Sequence, residues 1–427
     1  MSSKVNIILF RNDLRVSDNE ALYRAVKNSD KVIPLYVFDN RQFERDRWGF
    51  VKTGPFRAKF LLESVRNLRD KLRGVNADLI VRRGSPETII KELCDKFEVD
   101  KVYLQKEVTS EEVLVEKAIE KITNVEYIWG HTLFHIKDIP YKIADFPDVF
   151  TNFRKRTEKE STVREIIPVP DKIVLVEGIE PGELPSIQEL GLTDPPVDER
   201  AVICFFGGAD AARERLNHYF WNTKELQNYK WKRNGLLGEE YSSKFSPWLA
   251  NGSLSPREIY WEVKTFEQEV KKNVSTYWLV FELIWRDFFR FHSAKIGNAL
   301  FLPGGRNGLT RSLGNNQSAF NEWRTGKTRH DFVNASMVEL MQTGWMSNRG
   351  RQVVASNLVN DYKLDWRMGA AWFESMLIDY DPCSNYGNWQ YVAGVGTDPR
   401  KDRYFNIRSQ AERYDPKGEF VKHWLDT

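Results

Sequence analysis

A change of hydrophobic period halfway along the chain sets what it can fold into. In the first 130 residues, apolar runs of strand length at 5–10, 32–38, 79–81, 102–104 and 127–129 alternate with helical patterns, notably at 54–72 and 85–97. That alternation predicts a parallel sheet covered by helices on both faces. From about Ala211 onward the pattern is helical, with apolar residues at helix spacing in 278–291, 332–341 and 372–378. The expected architecture is an α/β N-terminal domain over residues 1–131 and an all-α C-terminal domain over 211–427. No internal repeat interrupts either half.

Residues 132–210 carry prolines at 140, 147, 168, 170, 181, 185, 195 and 196 and read as a long connector crossing both domains. Phe146, Val149, Phe150 and Phe153 predict that its first part packs. No Gly-x-Gly-x-x-Gly follows the first strand. Phe10-Arg11-Asn12-Asp13-Leu14-Arg15 stands there instead, so a dinucleotide site of the usual kind is not supported.

A net charge of +3 gives no bulk attraction to nucleic acid, although 63 basic residues can still form a local groove. Cys94, Cys204 and Cys383 and the six histidines are scattered, so neither a metal site nor a disulfide framework is expected. No apolar run reaches the length of a membrane span. Met1-Ser2-Ser3-Lys4 leads straight into an apolar strand, without a signal-peptide pattern. A cytoplasmic monomer is the expectation, with an organelle location left open. Of 14 tryptophans most lie in the second half, where the simplest role for them is filling a helical core.

Two groups of residues carry candidate chemistry. Ser242, Ser243 and Ser246 precede a helical pattern and could donate to a diphosphate at a helix start, with Arg286 supplying charge. Alone, such serines read as an ordinary N-cap. Asp379, Asp381 and Asn385 are spaced two and four apart around Pro382, which predicts a turn converging on one ligand. Alone, they read as a solvated acidic turn.

Four segments occur in order at suitable separations: 241–250 (Tyr-Ser-Ser-Lys-Phe-Ser-Pro-Trp-Leu-Ala), 281–289 (Phe-Glu-Leu-Ile-Trp-Arg-Asp-Phe-Phe), 343–352 (Thr-Gly-Trp-Met-Ser-Asn-Arg-Gly-Arg-Gln) and 377–389 (Leu-Ile-Asp-Tyr-Asp-Pro-Cys-Ser-Asn-Tyr-Gly-Asn-Trp). Together they resemble the photolyases and cryptochromes. Ser347, Gly350, Gln352 and Tyr391 are most similar to the DASH cryptochrome branch, and the 10–15 and 148–155 segments fit as well. The resemblance spans nearly the whole chain. It implies a Rossmann-like antenna domain, a linker and a helical domain holding FAD in a U shape.

By resemblance, Tyr229, Ser242, Ser243, Lys244, Phe245, Ser246 and Arg286 hold the phosphate and ribityl part, and Trp345 also lies at the cofactor. Asp379 is expected to pair with Arg351 beside the isoalloxazine ring, Asp381 to hold the ribose or adenine end and Asn385 to face flavin N5. A neutral amide at that last position suits a reduced, anionic flavin. Repair of a cyclobutane pyrimidine dimer would place Glu282, Trp285, Asn348, Arg349 and Tyr391 around the flipped bases, and histidine, expected for (6-4) lesions, is absent from 345–349. Trp389 and Trp366 match the inner and middle members of an electron-transfer chain, while Leu313 replaces its outer tryptophan. Glu107 is the candidate contact for an antenna, 5,10-methenyltetrahydrofolate.

The turn 328–335 (Thr-Arg-His-Asp-Phe-Val-Asn-Ala) departs from the family's Thr-Gly-Tyr-Pro pattern. The expected function is blue-light-driven dimer repair by electron transfer from reduced FAD, with single-stranded or damaged DNA as partner. The alternative is a non-catalytic blue-light photoreceptor, favoured by Leu313 and the altered turn.

Overall fold

The computed structural model describes residues 3–309, 314–398 and 404–426. Strands β1 (Val5–Phe10), β2 (Lys31–Phe38), β3 (Ile80–Arg83), β4 (Val99–Gln105) and β5 (Asn124–Ile128) form a parallel sheet in the order β3-β2-β1-β4-β5. Each falls on one of the five predicted runs. Val5, Ile7 and Leu9 pack with Ile33, Leu35 and Val37 on one face, while Ile8 and Phe10 pack with Val32 and Tyr36 on the other. Successive side chains alternate between faces, so strands buried on both sides are almost wholly apolar; Asn6 in β1 is the exception, and its amide donates to the Ala25 and Asn28 carbonyls.

The helices Pro55–Arg73 and Pro86–Phe97 stand where predicted, each opened by a proline at a position where its missing N–H costs no bond. The sequence reading missed the helices Glu20–Lys27 and Ser110–Glu120. Both are short and bury few apolar residues, which leaves little periodicity to read.

The connector packs more than a surface crossing would. It contains the helix Phe150–Glu160, and Phe146, Phe150 and Phe153 are buried in the helical domain. Farther on, Ile173 and Leu190 are buried against the sheet, and Leu175 bridges to Val32 of β2.

The helical domain is organised on the 23-residue helix Val274–Ile296, about 35 Å long. Asn273 and Thr276 form a reciprocal cap at its start, and Gly297, at φ +54°, ends it. Buried polar contacts fasten this domain to the sheet. The Asp287 carboxylate accepts from the backbone N–H groups of Leu133 and Phe134 at 2.9 and 2.8 Å. Arg257 pairs with Asp18 at 2.7 Å, and Arg290 with Glu107 at 2.7 Å. Among the described residues no helix is long and apolar enough to cross a membrane.

Candidate functional site

Three helices turn one face each toward a cavity of about 390 Å³. The long helix supplies Glu282, Trp285, Arg286 and Phe289. The helix Asn348–Ser356 supplies Asn348, Arg351, Gln352 and Ala355, and the helix Pro382–Val392 supplies Asn385, Asn388, Trp389 and Val392. Each set has the spacing i, i+3, i+4, i+7, the stripe that a single helix face presents. Arg233, Phe373, Asp379, Tyr380, Asp381 and Tyr391 add to the wall.

Local capping explains two of these faces. Ser347 Oγ accepts from the Gly350 N–H at 3.0 Å, and Asp381 accepts from the Ser384 N–H at 2.7 Å. The turn expected over Asp379, Asp381 and Asn385 therefore ends at Asp381. Pro382 starts a helix rather than breaking one, since the first helical position needs no N–H, and Asn385 stands in that helix's first turn.

Asp379 is the electrostatic centre. One of its oxygens accepts from Arg351 at 2.9 Å and from Ser246 Oγ at 2.7 Å. The other is buried with no protein donor, and such an oxygen suits an N–H or O–H of an occupant. Asn385 donates its amide N–H to the Ala370 carbonyl at 3.0 Å, which leaves its own carbonyl oxygen as an acceptor.

At the edge of the cavity Glu282 pairs with Arg233 at 2.5 Å. Burial raises the Glu282 carboxyl, opposed by the Arg233 charge. Trp285 lies flat on Phe150, with ring centroids 3.6 Å apart, and meets Tyr391 edge-on at 6.5 Å.

Not every expected residue lines the cavity. Arg349 is engaged outside it, donating to Gln352 at 2.8 Å and to Asn234 and Gln410 at 3.2 Å. Ser242 and Ser243 give their carbonyls to Arg215. Lys244 has a left-handed backbone, and its ammonium is buried 3.4 Å from the centroid of the Tyr241 ring. Burial lowers that ammonium to about 7. Phe245 packs against Tyr219 and Phe220, and Tyr229 belongs to the same core. Trp345 lies 5.2 Å from the Arg351 guanidinium and so helps to fix it. Arg286 lines the cavity but bonds to the His131 and Leu249 carbonyls.

Trp389 is buried in the wall, edge-on to Phe373 at 5.2 Å and to Trp323 at 6.3 Å. Gly369 makes room for it, since a Cβ there would stand 2.2 Å from an indole carbon. Trp366, three residues before Gly369, meets the Tyr386 ring at 6.2 Å, and Tyr386 donates to Glu374 at 3.2 Å. Leu313 lies outside the described residues. Trp372 packs on Phe50 at 5.2 Å.

The altered 328–335 turn is held by its own side chains. Asn334 accepts from the Thr328 N–H at 2.7 Å and donates to the Thr328 carbonyl at 2.8 Å. Asp331 opens the following helix without making a side-chain cap, and Asn334 holds the turn before it.

Sequence reasoning missed Arg233 and Asn388, and it read Gln352 only as a subgroup marker. The basic run at 230–233 was the available signal for Arg233. His218, Glu239 and Glu240 have ligand atoms within 4.8 Å of one another, but Arg215 pairs with both carboxylates.

A second cleft of about 590 Å³ lies between the domains. Arg11 and Asn12 after β1 and Ser110 to Glu112 after β4 line it, facing Glu374, Tyr380 and Tyr386 of the helical domain. The strand order reverses between β1 and β4, which is where open α/β sheets receive ligands. Tyr380 lines both this cleft and the first cavity. Glu107 does not line the cleft. Burial alone would raise its carboxyl, but Arg290 and His131 hold it well below the usual range, and the pairing with Arg290 ties the domains together.

Residues 278–427 match the family described as the FAD binding domain of DNA photolyase, and residues 6–171 match that described as DNA photolyase. The cryptochrome DASH of Gloeobacter violaceus is 50% identical over 430 residues, covering 100% of this chain and 86% of that protein. Arabidopsis thaliana cryptochrome DASH is 47% identical, covering 99% of this chain and 75% of that protein. The crystal structure of a Synechocystis cryptochrome superposes with a TM-score of 0.96 at 46% identity, covering 100% of this chain and 89% of the other. FAD fits the three-helix cavity: Arg286 and Arg351 offer cations, Asp379 an unpaired acceptor and Phe373 and Trp389 aromatic walls. The chain belongs to the photolyase/cryptochrome family and, within it, to the cryptochrome DASH branch.

Proposed function

We propose that this flavoprotein repairs cyclobutane pyrimidine dimers under blue light, preferentially in single-stranded DNA. The observation that carries the reading is the continuity of one cavity, which holds the Arg351–Asp379 pair and Asn385 together with Glu282, Trp285, Asn348 and Tyr391. Bound reduced FAD would supply the electron that splits the dimer.

The chain's own groups would receive and orient the lesion. Trp285, braced by Phe150, offers an aromatic face to a flipped base, and Tyr391 stands perpendicular to it. Glu282, paired with Arg233, presents a carboxylate that can accept from the N–H of a pyrimidine edge. Asn348 adds an amide able to donate and accept. Unpaired strands spare the flipping cost, a few kcal/mol on a duplex.

The interdomain cleft is the proposed antenna site, with methenyltetrahydrofolate as its ligand. Glu112 and Glu374 supply carboxylates that match the adjacent N–H donors of an aminopyrimidine edge. A non-catalytic photoreceptor is the second reading, and it rests on leucine at position 313. The deciding experiment is blue illumination of the FAD-loaded protein with dimer-containing single-stranded and duplex oligonucleotides. Restored thymines support repair. Dimers left intact by the fully reduced protein refute it.

A further inference from the structure

Residues Tyr229–Lys232 form one helical turn beside the cavity, extended by the Arg233 N–H donating to the Tyr229 carbonyl at 2.9 Å. Side chains two apart on a helix point roughly 200° apart. Tyr229 is buried in the domain core, so Trp231 faces water and is 71% exposed. No other tryptophan among the described residues is exposed. Tryptophan is highly buried on average, so this indole is the exception among those described.

The mount for this indole is fixed at both ends. The Lys230 N–H donates to Ser275 Oγ at 3.2 Å. Arg233 pairs with Glu282 at the cavity, and Asn234 accepts from Arg349 at 3.2 Å. The Lys230 ammonium stands 4.9 Å from the Trp231 ring centroid and 4.5 Å from that of Trp278, which stacks on Phe281 at 4.7 Å. Lys232 is taken by Glu225 at 2.8 Å, whereas among the described residues Lys230 pairs with no carboxylate.

We propose that Trp231 is a stacking platform for an unpaired base adjoining the lesion, with Lys230 holding the neighbouring phosphate. This rests on the repair reading above and names how the strand would approach that site. An aromatic face joined to a cation is what sequence-tolerant binding of single strands needs. A duplex keeps its bases stacked on one another and gains only the phosphate contact. Trp231 would therefore favour the single strand, separately from the flipping cost.

The test uses the full FAD-loaded chain and its Trp231→Ala, Trp231→Phe and Lys230→Ala variants. Binding is read by anisotropy on a labelled single strand of about 15 nucleotides carrying one thymine dimer, and on the same sequence as a duplex. Repair is read on a bare thymine-dimer dinucleotide, which has no neighbouring base to stack. Trp231→Ala should weaken single-strand binding about 5- to 100-fold, while Trp231→Phe keeps most of it. Duplex affinity, dinucleotide repair and flavin content should stay at wild-type levels. Lys230→Ala should reduce the slope of log affinity against log salt by about 0.7.

Single-strand affinity unchanged in Trp231→Ala, with the wild type still repairing, would overturn the proposal and leave the repair reading intact. Self-association lost in Trp231→Ala at unchanged DNA affinity would assign the indole to a protein contact and overturn it too. A wild type that neither binds nor repairs any of the three substrates would remove the repair reading, and this proposal with it.

Discussion

Arg351 and Asp379 face each other at 2.9 Å in the wall of the flavin cavity, and the Ser246 hydroxyl completes the same carboxylate oxygen at 2.7 Å. The pair joins the helix Asn348–Ser356 to the turn before Pro382. Asp379 is almost fully buried, whereas Arg351 is partly exposed.

Removing one partner should cost both fold and cofactor. Asp379→Ala strips Arg351 and Ser246 of their acceptor and should destabilise the protein by about 1–3 kcal/mol, less than a fully buried pair would cost. Flavin absorbance per chain after gel filtration should fall sharply in Asp379→Ala and less in Asp379→Asn, which keeps an acceptor. Full flavin loading in Asp379→Ala would contradict the placement of FAD in this cavity.

Glu282→Ala and Asn348→Ala should weaken dimer repair while FAD stays bound, because neither contacts the Arg351–Asp379 pair. If Glu282 and Asn348 act through hydrogen bonds to a pyrimidine edge, each variant should lose about 1–3 kcal/mol in kcat/KM. Repair kinetics with saturating reduced protein check this, and wild-type rates in either variant would be incompatible with the pocket described.

Photoreduction of bound FAD should depend on Trp389, which forms part of the cavity wall. Trp389→Phe should abolish most of it under steady blue light with a thiol reductant. Leu313→Trp should accelerate it by restoring an aromatic group at that position, while repair by chemically reduced protein stays unchanged. A faster wild type than Leu313→Trp would show that another exit, such as Tyr386 beside Trp366, already serves.

Stability should fall as pH rises toward and through neutrality, and Glu374 contributes to this together with Asp287, raised by burial to about 7, and Glu339, raised by burial to about 8. Burial raises the Glu374 carboxyl from 4.5 to about 7, while Arg57 and Lys52 oppose the shift, Glu111 adds to it, and Tyr380 and Tyr386 also face the group. The folded chain thus holds a proton that the unfolded chain releases. The stabilisation is complete below about pH 4.5 and is lost as pH passes about 7. Glu374→Gln should remove its share of this dependence, leaving a shallower fall, and gain about 1–2 kcal/mol at alkaline pH, read by urea unfolding of the ligand-free protein from about pH 5 to pH 8.

Asn334→Ala should destabilise the protein by about 2 kcal/mol, because it leaves the buried N–H and carbonyl of Thr328 without partners. Asn334→Asp keeps the acceptor and loses the donor, so its denaturation midpoint should fall between the other two.

The parts of this fold that could be read from sequence were those written in short periods. Each of the five strands carries an apolar run, longest in β1 and β2, which are buried on both faces, and the long helix shows because its stripe repeats over six turns. The helix Ser110–Glu120 was invisible for the opposite reason, since only Glu116 and Ile119 are buried. Site residues on one helix came through together, as Glu282, Trp285 and Arg286 did. Arg233 did not, because its partner stands 49 residues away and nothing local marks the pair. The side-chain direction of Lys244 is not legible either, because a left-handed backbone at one residue turns it into the core. The spacing around Pro382 predicts a turn at Asn385, but a proline opens a helix as readily as it breaks one, and here it opens one.

Tyr380 is shared by the two cavities, and that common wall has a thermodynamic consequence. A ligand in the interdomain cleft and FAD in the helical domain would rest against opposite sides of one phenol. If either shifts that ring, linkage makes the effect mutual: each changes the other's dissociation constant by the same factor. The cleft's ligand and FAD would then load as a thermodynamic unit, so occupancy of the cleft in a preparation would report on its flavin content.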